Sequence, residues 1–274
     1  MPLDTSTYNL ALLRVDGRRW NELRQQKGQL GVQPSADGSA YLEMGNTKIQ
    51  CIISGPNERD LSKSTSSAST APTSNGAGAT VAVSIMIAPF ATVDRKRRGR
   101  NDKRLQEMQT TIASGLAATV QGQSYGPRST IHISLNVLSQ DGSLLACLIN
   151  AASLALVDAG VPMTDYLVAC TAGSTSSYAA ADEEADPLLD LNTQEEQELP
   201  FLTLATLGAT DKVVAMVCES RVQLTRLEGM MATAADGCKG VRDFLDGVVR
   251  DKGELMVQEG AIGRGEVVSS MDLD

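Results

Sequence analysis

The sequence predicts an α+β fold in which mixed sheets pack on a few helices. Three observations point there. Short apolar runs alternate with period two, as strands with one buried face do. Between them lie longer stretches whose apolar residues recur every three or four positions, as helices require. The order strands, helix, strands, helix occurs roughly twice along 274 residues, a length that buries a proper core. The apolar share of 42% and charged share of 21% are ordinary for a globular chain.

The elements follow in order. After a polar start, "GSAYLEMGNTKIQCIISGP" (38–56) alternates around Gly45-Asn46 and reads as a β-hairpin. Residues 57–79 are a Ser/Thr/Ala/Gly tract too poor in bulky groups to pack, and a mobile loop is expected. "TVAVSIMIAPF" (80–90) resumes as a strand. Leu105, Met108, Ile112, Leu116 and Val120 then form the stripe of an amphipathic helix, ended by Gly122, Gly126 and Pro127.

"STIHISLNVL" (129–138) alternates as a strand, with His132 on its exposed face. "SLLACLINAASLALVDAG" (143–160) is apolar nearly all round, which predicts a buried helix stopped by Gly160 and Pro162. "DYLVACTAGS" is a strand, and "FLTLATLG" with "KVVAMVCES" reads as a second hairpin. Leu224, Leu227, Met231, Ala234, Cys238, Val241, Leu245 and Val248 make a long apolar seam on a last helix. Residues 254–274 carry Gly and acidic groups without a period and read as a flexible acidic tail.

Composition narrows the function. Five cysteines with no CxxC pair read as small buried hydrophobes in a reducing compartment. One histidine gives little support to a Ser-His-Asp or His-ligated metal site, so no metal and no cofactor are expected. One Trp, three Phe and five Tyr disfavour binding of single strands on aromatic platforms. No apolar run approaches the ~18 residues of a membrane span, and the amino terminus lacks a secretion signal. An intracellular soluble chain with no membrane partner is expected. "GAIGRG" near the end lacks the flanking strand and helix of a phosphate loop.

Against a net charge of −9, "DRKRRGRNDKR" (94–104) gathers seven cations. Such a block is either a solvated loop or an electrostatic footprint for a polyanion, and both readings stand at this point.

Several stretches together resemble the ribonuclease PH family. They are "DGRRWNELR" (16–24), the hairpin at 38–56, "APF" with its basic segment, "LNVLSQDGS" (135–143) and "NAASLALVDAGVPMTDYLVACTAG" (150–173). The similarity runs from residue 14 to about 250 and is most specific over 150–173. It extends in particular to the eukaryotic RNA exosome ring subunit that corresponds to the active archaeal exosome subunit.

The resemblance implies two similar β-α units: a first part at 16–162 and a second at 163–253, after an extension at 1–15. It also implies a hetero-hexameric ring with other ribonuclease PH-like subunits around a channel for single-stranded RNA. S1/KH-type cap subunits and an associated hydrolytic exoribonuclease are the further partners implied. Nucleus, nucleolus and cytoplasm are the implied locations, with rRNA processing and mRNA turnover as the work.

Active members of the family cleave RNA from its 3′ end by phosphate attack, which needs an anion clamp and a general acid. Matching the family's motifs, Arg104, Gly142 and Ser143 hold positions of the phosphate site, while an arginine of that clamp is replaced by Leu145. Asp190 matches a family carboxylate, and the catalytic acid is either lost or replaced by Glu198. On these grounds the site is expected to be degenerate and the chain to be a non-catalytic channel subunit. Arg95, Lys96, Arg97, Arg98, Arg100, Lys103 and Arg104 are the expected contacts to RNA phosphates. Two alternatives remain: an active phosphorolytic 3′-5′ exoribonuclease, and an α+β interaction protein whose basic loop binds an acidic partner.

Overall fold

A computed structural model describes residues 13–14, 16–58, 79–92, 95, 102–125, 129–175, 186–208, 210 and 212–258. The strands β1 (Gln26–Leu30), β2 (Gly38–Met44), β3 (Thr47–Glu58), β4 (Thr80–Ile87) and β5 (Ser129–Ser139) form one five-stranded sheet. Its order is β1-β2-β3-β5-β4, antiparallel except for the parallel pair β4/β5. Strands β6 (Leu167–Ser174), β7 (Pro187–Leu189), β8 (Phe201–Leu207) and β9 (Val213–Cys218) form a second, antiparallel sheet of order β7-β6-β8-β9. Among the described residues four α-helices accompany them: α1 (Lys103–Thr119), α2 (Leu144–Asp158), α3 (Thr193–Glu198) and α4 (Leu224–Gln258). The expected α+β class is the observed one.

The first hairpin turns where the sequence places it. Gly45 has φ 61°, a left-handed conformation open to glycine at little cost, so Met44 pairs directly with Thr47. Leu42, Met44, Ile49, Cys51 and Ile53 thereby face inward and are buried.

Helix α2 is the hub, lying between the two sheets and packing on β2 and β3 from the first and β6 from the second. Twelve of its fifteen residues are buried, which is why the segment is apolar all round. Its two buried polar side chains are satisfied. Asn150 exchanges hydrogen bonds with Ala169, donating to its carbonyl at 2.9 Å and accepting from its N–H at 2.8 Å. The Ser153 hydroxyl donates to the Leu167 carbonyl at 2.6 Å. These bonds fix the register of α2 against β6, and hence the place where α2 begins.

Several expectations need correction. Residues 57–58 are the end of β3 rather than loop, because Asn57 and Glu58 pair with Thr130 and Ser129. The rest of the Ser-rich tract, 59–78, lies outside the described residues. Helix α4 runs to Gln258, so 254–258 are helical, and the remainder of the acidic tail lies outside the described residues. Leu224, the first residue of the apolar seam, is exposed; the buried face begins at Met230. Cys218 is exposed where burial was expected, because β9 is an edge strand; the other four cysteines are buried. Strand β1, "QKGQL", escaped the sequence reading since it is a polar edge with no apolar alternation.

Candidate functional site

The first turn of α2, the amino-terminal half of α1, the start of α3 and the end of β9 meet at one cleft. Arg104, Glu107, Met108 and Thr111 line it from α1, Leu144 and Leu145 from α2, and Glu196 from α3. Glu219 closes the side beyond β9, its carboxylate 3.8 Å from the Arg104 guanidinium.

Each wall has a local cause. Asp102 caps α1, its side chain accepting from the Arg104 N–H at 3.2 Å, which places Arg104 at the helix start. A cation there opposes the helix dipole by about 0.3–1 kcal/mol, so Arg104 does not serve helix stability. At α2, Ser143 sits in the left-handed region at φ 51° and its hydroxyl makes no cap bond to the helix. It donates instead to Asp190 Oδ1 at 2.9 Å and to the Leu191 carbonyl at 3.0 Å. Gly142, at φ 74°, is needed because a Cβ there would lie 2.4 Å from the Leu191 carbonyl oxygen.

Helix α3 starts with a reciprocal cap: Asn192 accepts from the Glu195 N–H, and Glu195 accepts from the Asn192 N–H at 3.0 Å. That cap turns Glu195 inward onto Arg14 and leaves Glu196 facing the cleft. Glu196 Oε1 accepts the Ser143 N–H at 2.6 Å. Burial raises the Glu196 carboxyl above the usual range, only partly offset by the Ser143 N–H and by Arg24 and Arg104. A buried carboxyl raised in this way keeps its proton to higher pH than a free one, as a proton donor must.

The residues expected from sequence fall into three groups. Arg104 and Leu145 line the cleft; Ser143 is buried beneath it and reaches it through its N–H on Glu196, with Gly142 behind. Asp190 does not reach it: the carboxylate is fully buried, 2.8 Å from the Arg24 guanidinium, and also accepts the Arg24 N–H at 3.0 Å. Burial pushes Asp190 up, but Arg24 and the Ser143 hydroxyl outweigh it and hold the carboxyl below its usual value. A buried, paired carboxylate of this kind donates no proton. Glu198 ends α3 two residues beyond Glu196, about 200° around the helix, and so faces away from the cleft lining. Of the basic segment, Arg95, Lys103 and Arg104 are exposed, while Lys96, Arg97, Arg98 and Arg100 lie outside the described residues.

Glu196, Glu195, Arg14, Arg24 and Glu219 were missed. The signal available for the first two was the N-T-Q-E run at 192–195, a capping box that sets which glutamate turns inward.

The depressed Asp190 value carries a pH prediction. Its stabilisation is complete above the unfolded carboxylate value of about 3.9 and lost as pH falls through the lower folded value. Asp190→Asn is therefore expected to be clearly less stable than wild type at neutral pH, with the gap narrowing below about pH 4. Urea unfolding across that range checks it; a gap independent of pH would remove the ion pair from the account.

The chain is similar to known proteins in sequence and in fold. Residues 22–162 match domain 1 of the 3′ exoribonuclease family (RNase PH), and residues 165–237 match its domain 2. The exosome complex component ski6 of Schizosaccharomyces pombe is 39% identical over 238 residues, covering 87% of this chain and 91% of that protein. Human exosome complex component RRP41 is 36% identical over 237 residues, covering 86% and 90%. An Archaeoglobus fulgidus exosome structure, described as having RNA bound to the active site, superposes with TM-score 0.68 at 19% identity, covering 87% and 95%. Rice Rrp46 superposes with TM-score 0.67 at 24% identity, covering 85% and 98%.

These findings overturn the expectation of a catalytically inactive chain. It rested on Leu145 and on a lost acid, whereas the matched family is one of exoribonucleases and the cleft holds a raised carboxyl at Glu196 beside Arg104. Matched by both family domains and at more than a third identity to full-length relatives, the chain belongs to the ribonuclease PH family of 3′ exoribonucleases.

Proposed function

We propose that this chain is a ring subunit of an RNA exosome that handles RNA from its 3′ end at the Arg104–Glu196 cleft. The observation that carries the reading is the convergence of an arginine, a raised carboxyl and a helix amino terminus in one cleft. The printed names of its relatives, exosome complex components of near-equal length, support the assembly. The partners are other ribonuclease PH-like subunits in a hetero-hexameric ring, S1/KH-type cap subunits and a hydrolytic exoribonuclease. The setting is rRNA processing and mRNA turnover in nucleus, nucleolus and cytoplasm.

The chemistry follows from the cleft. Inorganic phosphate, held by Arg104 and the α2 amino terminus, attacks the phosphorus of the last linkage. The P–O3′ bond breaks, Glu196 gives its proton to the departing O3′, and a nucleoside diphosphate leaves. RNA upstream of the cleft is held through its phosphates by the basic segment, Arg95, Lys96, Arg97, Arg98, Arg100 and Lys103, with no base readout.

Leu145 makes this a slow site. It lines the cleft in the first turn of α2 with an apolar side chain where a guanidinium fork would grip the anion. One charge-assisted hydrogen bond is worth roughly 1.5–3 kcal/mol, so its absence costs about tenfold to a hundredfold in rate. Leu145→Arg is expected to raise phosphate-dependent release of nucleoside diphosphates from a labelled oligoribonucleotide by about that factor. The assay uses the purified ring with and without phosphate. No phosphate-dependent release from either the wild-type or the Leu145→Arg ring would reject the chemistry.

A further inference from the structure

Beneath the cleft lies a buried polar cluster that takes no part in the chemistry above. Arg24, from the segment before β1, sends one guanidinium nitrogen to Asp190 Oδ1 at 2.8 Å. The same nitrogen lies 3.4 Å from the Gly142 carbonyl, and the other terminal nitrogen donates to the Asp141 carbonyl. Its backbone N–H donates to Asp190 Oδ2 at 3.0 Å. Arg24 thus grips both chain segments that flank the cleft floor, the turn into α2 and the stretch leading to α3.

Those segments hold three backbone residues in the left-handed region: Gly142 at φ 74°, Ser143 at φ 51° and Asp190 at φ 51°. For the two that are not glycine this conformation is strained, and it persists only when surrounding contacts impose it. Ser143 is the link. Its hydroxyl is bound to Asp190 and Leu191, and its N–H is bound to Glu196 at 2.6 Å.

We infer that Arg24 and Asp190 are positioning residues for the cleft acid: together they clamp Ser143 in its left-handed conformation, which aims the Ser143 N–H at the Glu196 carboxyl. The inference rests on the proposed role of Glu196. It also gives Arg24 a use that helix or strand formation does not, since the residue lies in neither and yet is buried.

The charged groups around Glu196 come from several walls: Arg104 and Glu107 from α1, Glu219 beyond β9, Arg24 before β1 and Asp190 after β7. Loosening the clamp changes one contact among these, the Ser143 N–H, and leaves the charges in place. Two variants do so. Ser143→Ala removes a single oxygen, and Arg24→Lys keeps the charge while losing the fork.

The experiment is ¹³C-carboxyl NMR of the full chain, with the Glu196 signal assigned through Glu196→Gln, together with phosphate-dependent turnover of the ring. In both variants Glu196 is expected to titrate at higher pH than in wild type. kcat is expected to fall by about a hundredfold, with the KM for phosphate little changed, since a misplaced acid costs turnover rather than anion binding. Leu156→Val, a core change at the far end of α2, serves as the control for stability loss alone and should leave the Glu196 titration in place. Folded Ser143→Ala and Arg24→Lys chains with Glu196 titrating as in wild type would overturn the inference. If the shifts occur while no ring shows phosphorolysis, the clamp stands and the proposed chemistry falls.

Discussion

Glu195→Ala is expected to lower the Tm of the chain by on the order of 10 °C. Glu195 and Arg14 form a buried ion pair, their side chains 2% and 1% exposed, with the Arg14 Nε donating to Glu195 Oε1 at 2.8 Å. Arg14 also donates to the Leu189 carbonyl and, at 3.0 Å, to that of Asp190. Truncating the carboxylate leaves a guanidinium buried without its counter-charge, which costs about 3–5 kcal/mol. A chain of this size loses roughly 2–4 °C per kcal/mol. Glu195 also accepts the Asn192 N–H, so the start of α3 loosens as well. Replacing both partners, as in Arg14→Met with Glu195→Leu, removes the stranded charge and should recover most of the loss. Thermal unfolding of the three variants checks this. A double variant as unstable as Glu195→Ala alone would assign the cost to the cap rather than to the charge.

Glu196→Gln should act in the opposite sense on stability and far more strongly on activity. Loss of a general acid slows a reaction by about 10²–10⁴-fold, read against the Leu145→Arg background, where turnover is highest. Stability above the raised folded value should rise by about 0.5–2 kcal/mol, as expected when a group held for function is relieved. The sign follows from linkage. Burial raises the folded value of Glu196, so the folded state binds its proton more tightly than the unfolded state. Folding stability is therefore lost as pH rises from the ordinary carboxylate value of about 4.3 through the raised one. The gain from Gln is accordingly absent below about pH 4 and grows as pH rises through the folded value. Turnover unchanged in Glu196→Gln would move the acid role elsewhere in the cleft.

Much of the fold was legible because its elements carry strong local signals. The 38–56 hairpin was readable from alternation around Gly45, and helix α2 from a run apolar on every face. The stripe from Leu105 to Val120 marked α1, since each of these residues recurs on one side of a 3.6-residue turn. Strand β1 was invisible because a polar edge strand owes its state to its neighbour β2 rather than to its own pattern. The short strand β7 and helix α3 were hidden within an acidic stretch whose charges, read along the chain, suggested only an interruption.

The site divides in the same way. The sequence by itself determined that Arg104 begins a helix, that Gly142 and Ser143 precede another, and that Leu145 stands where a cation was expected. It could not choose among Asp190, Glu195, Glu196 and Glu198, four carboxylates within nine positions. Only the tertiary structure decided between them. Arg24 and Arg14, more than 160 residues away in sequence, neutralise Asp190 and Glu195 in the interior, and the turn of α3 sends Glu198 away from the cleft. Glu196 is left facing Arg104 with one backbone N–H for company. The reason is physical: a carboxylate's chemistry is set by burial and by the charges within a few ångströms of it, and those neighbours come from folding rather than from adjacency in the chain.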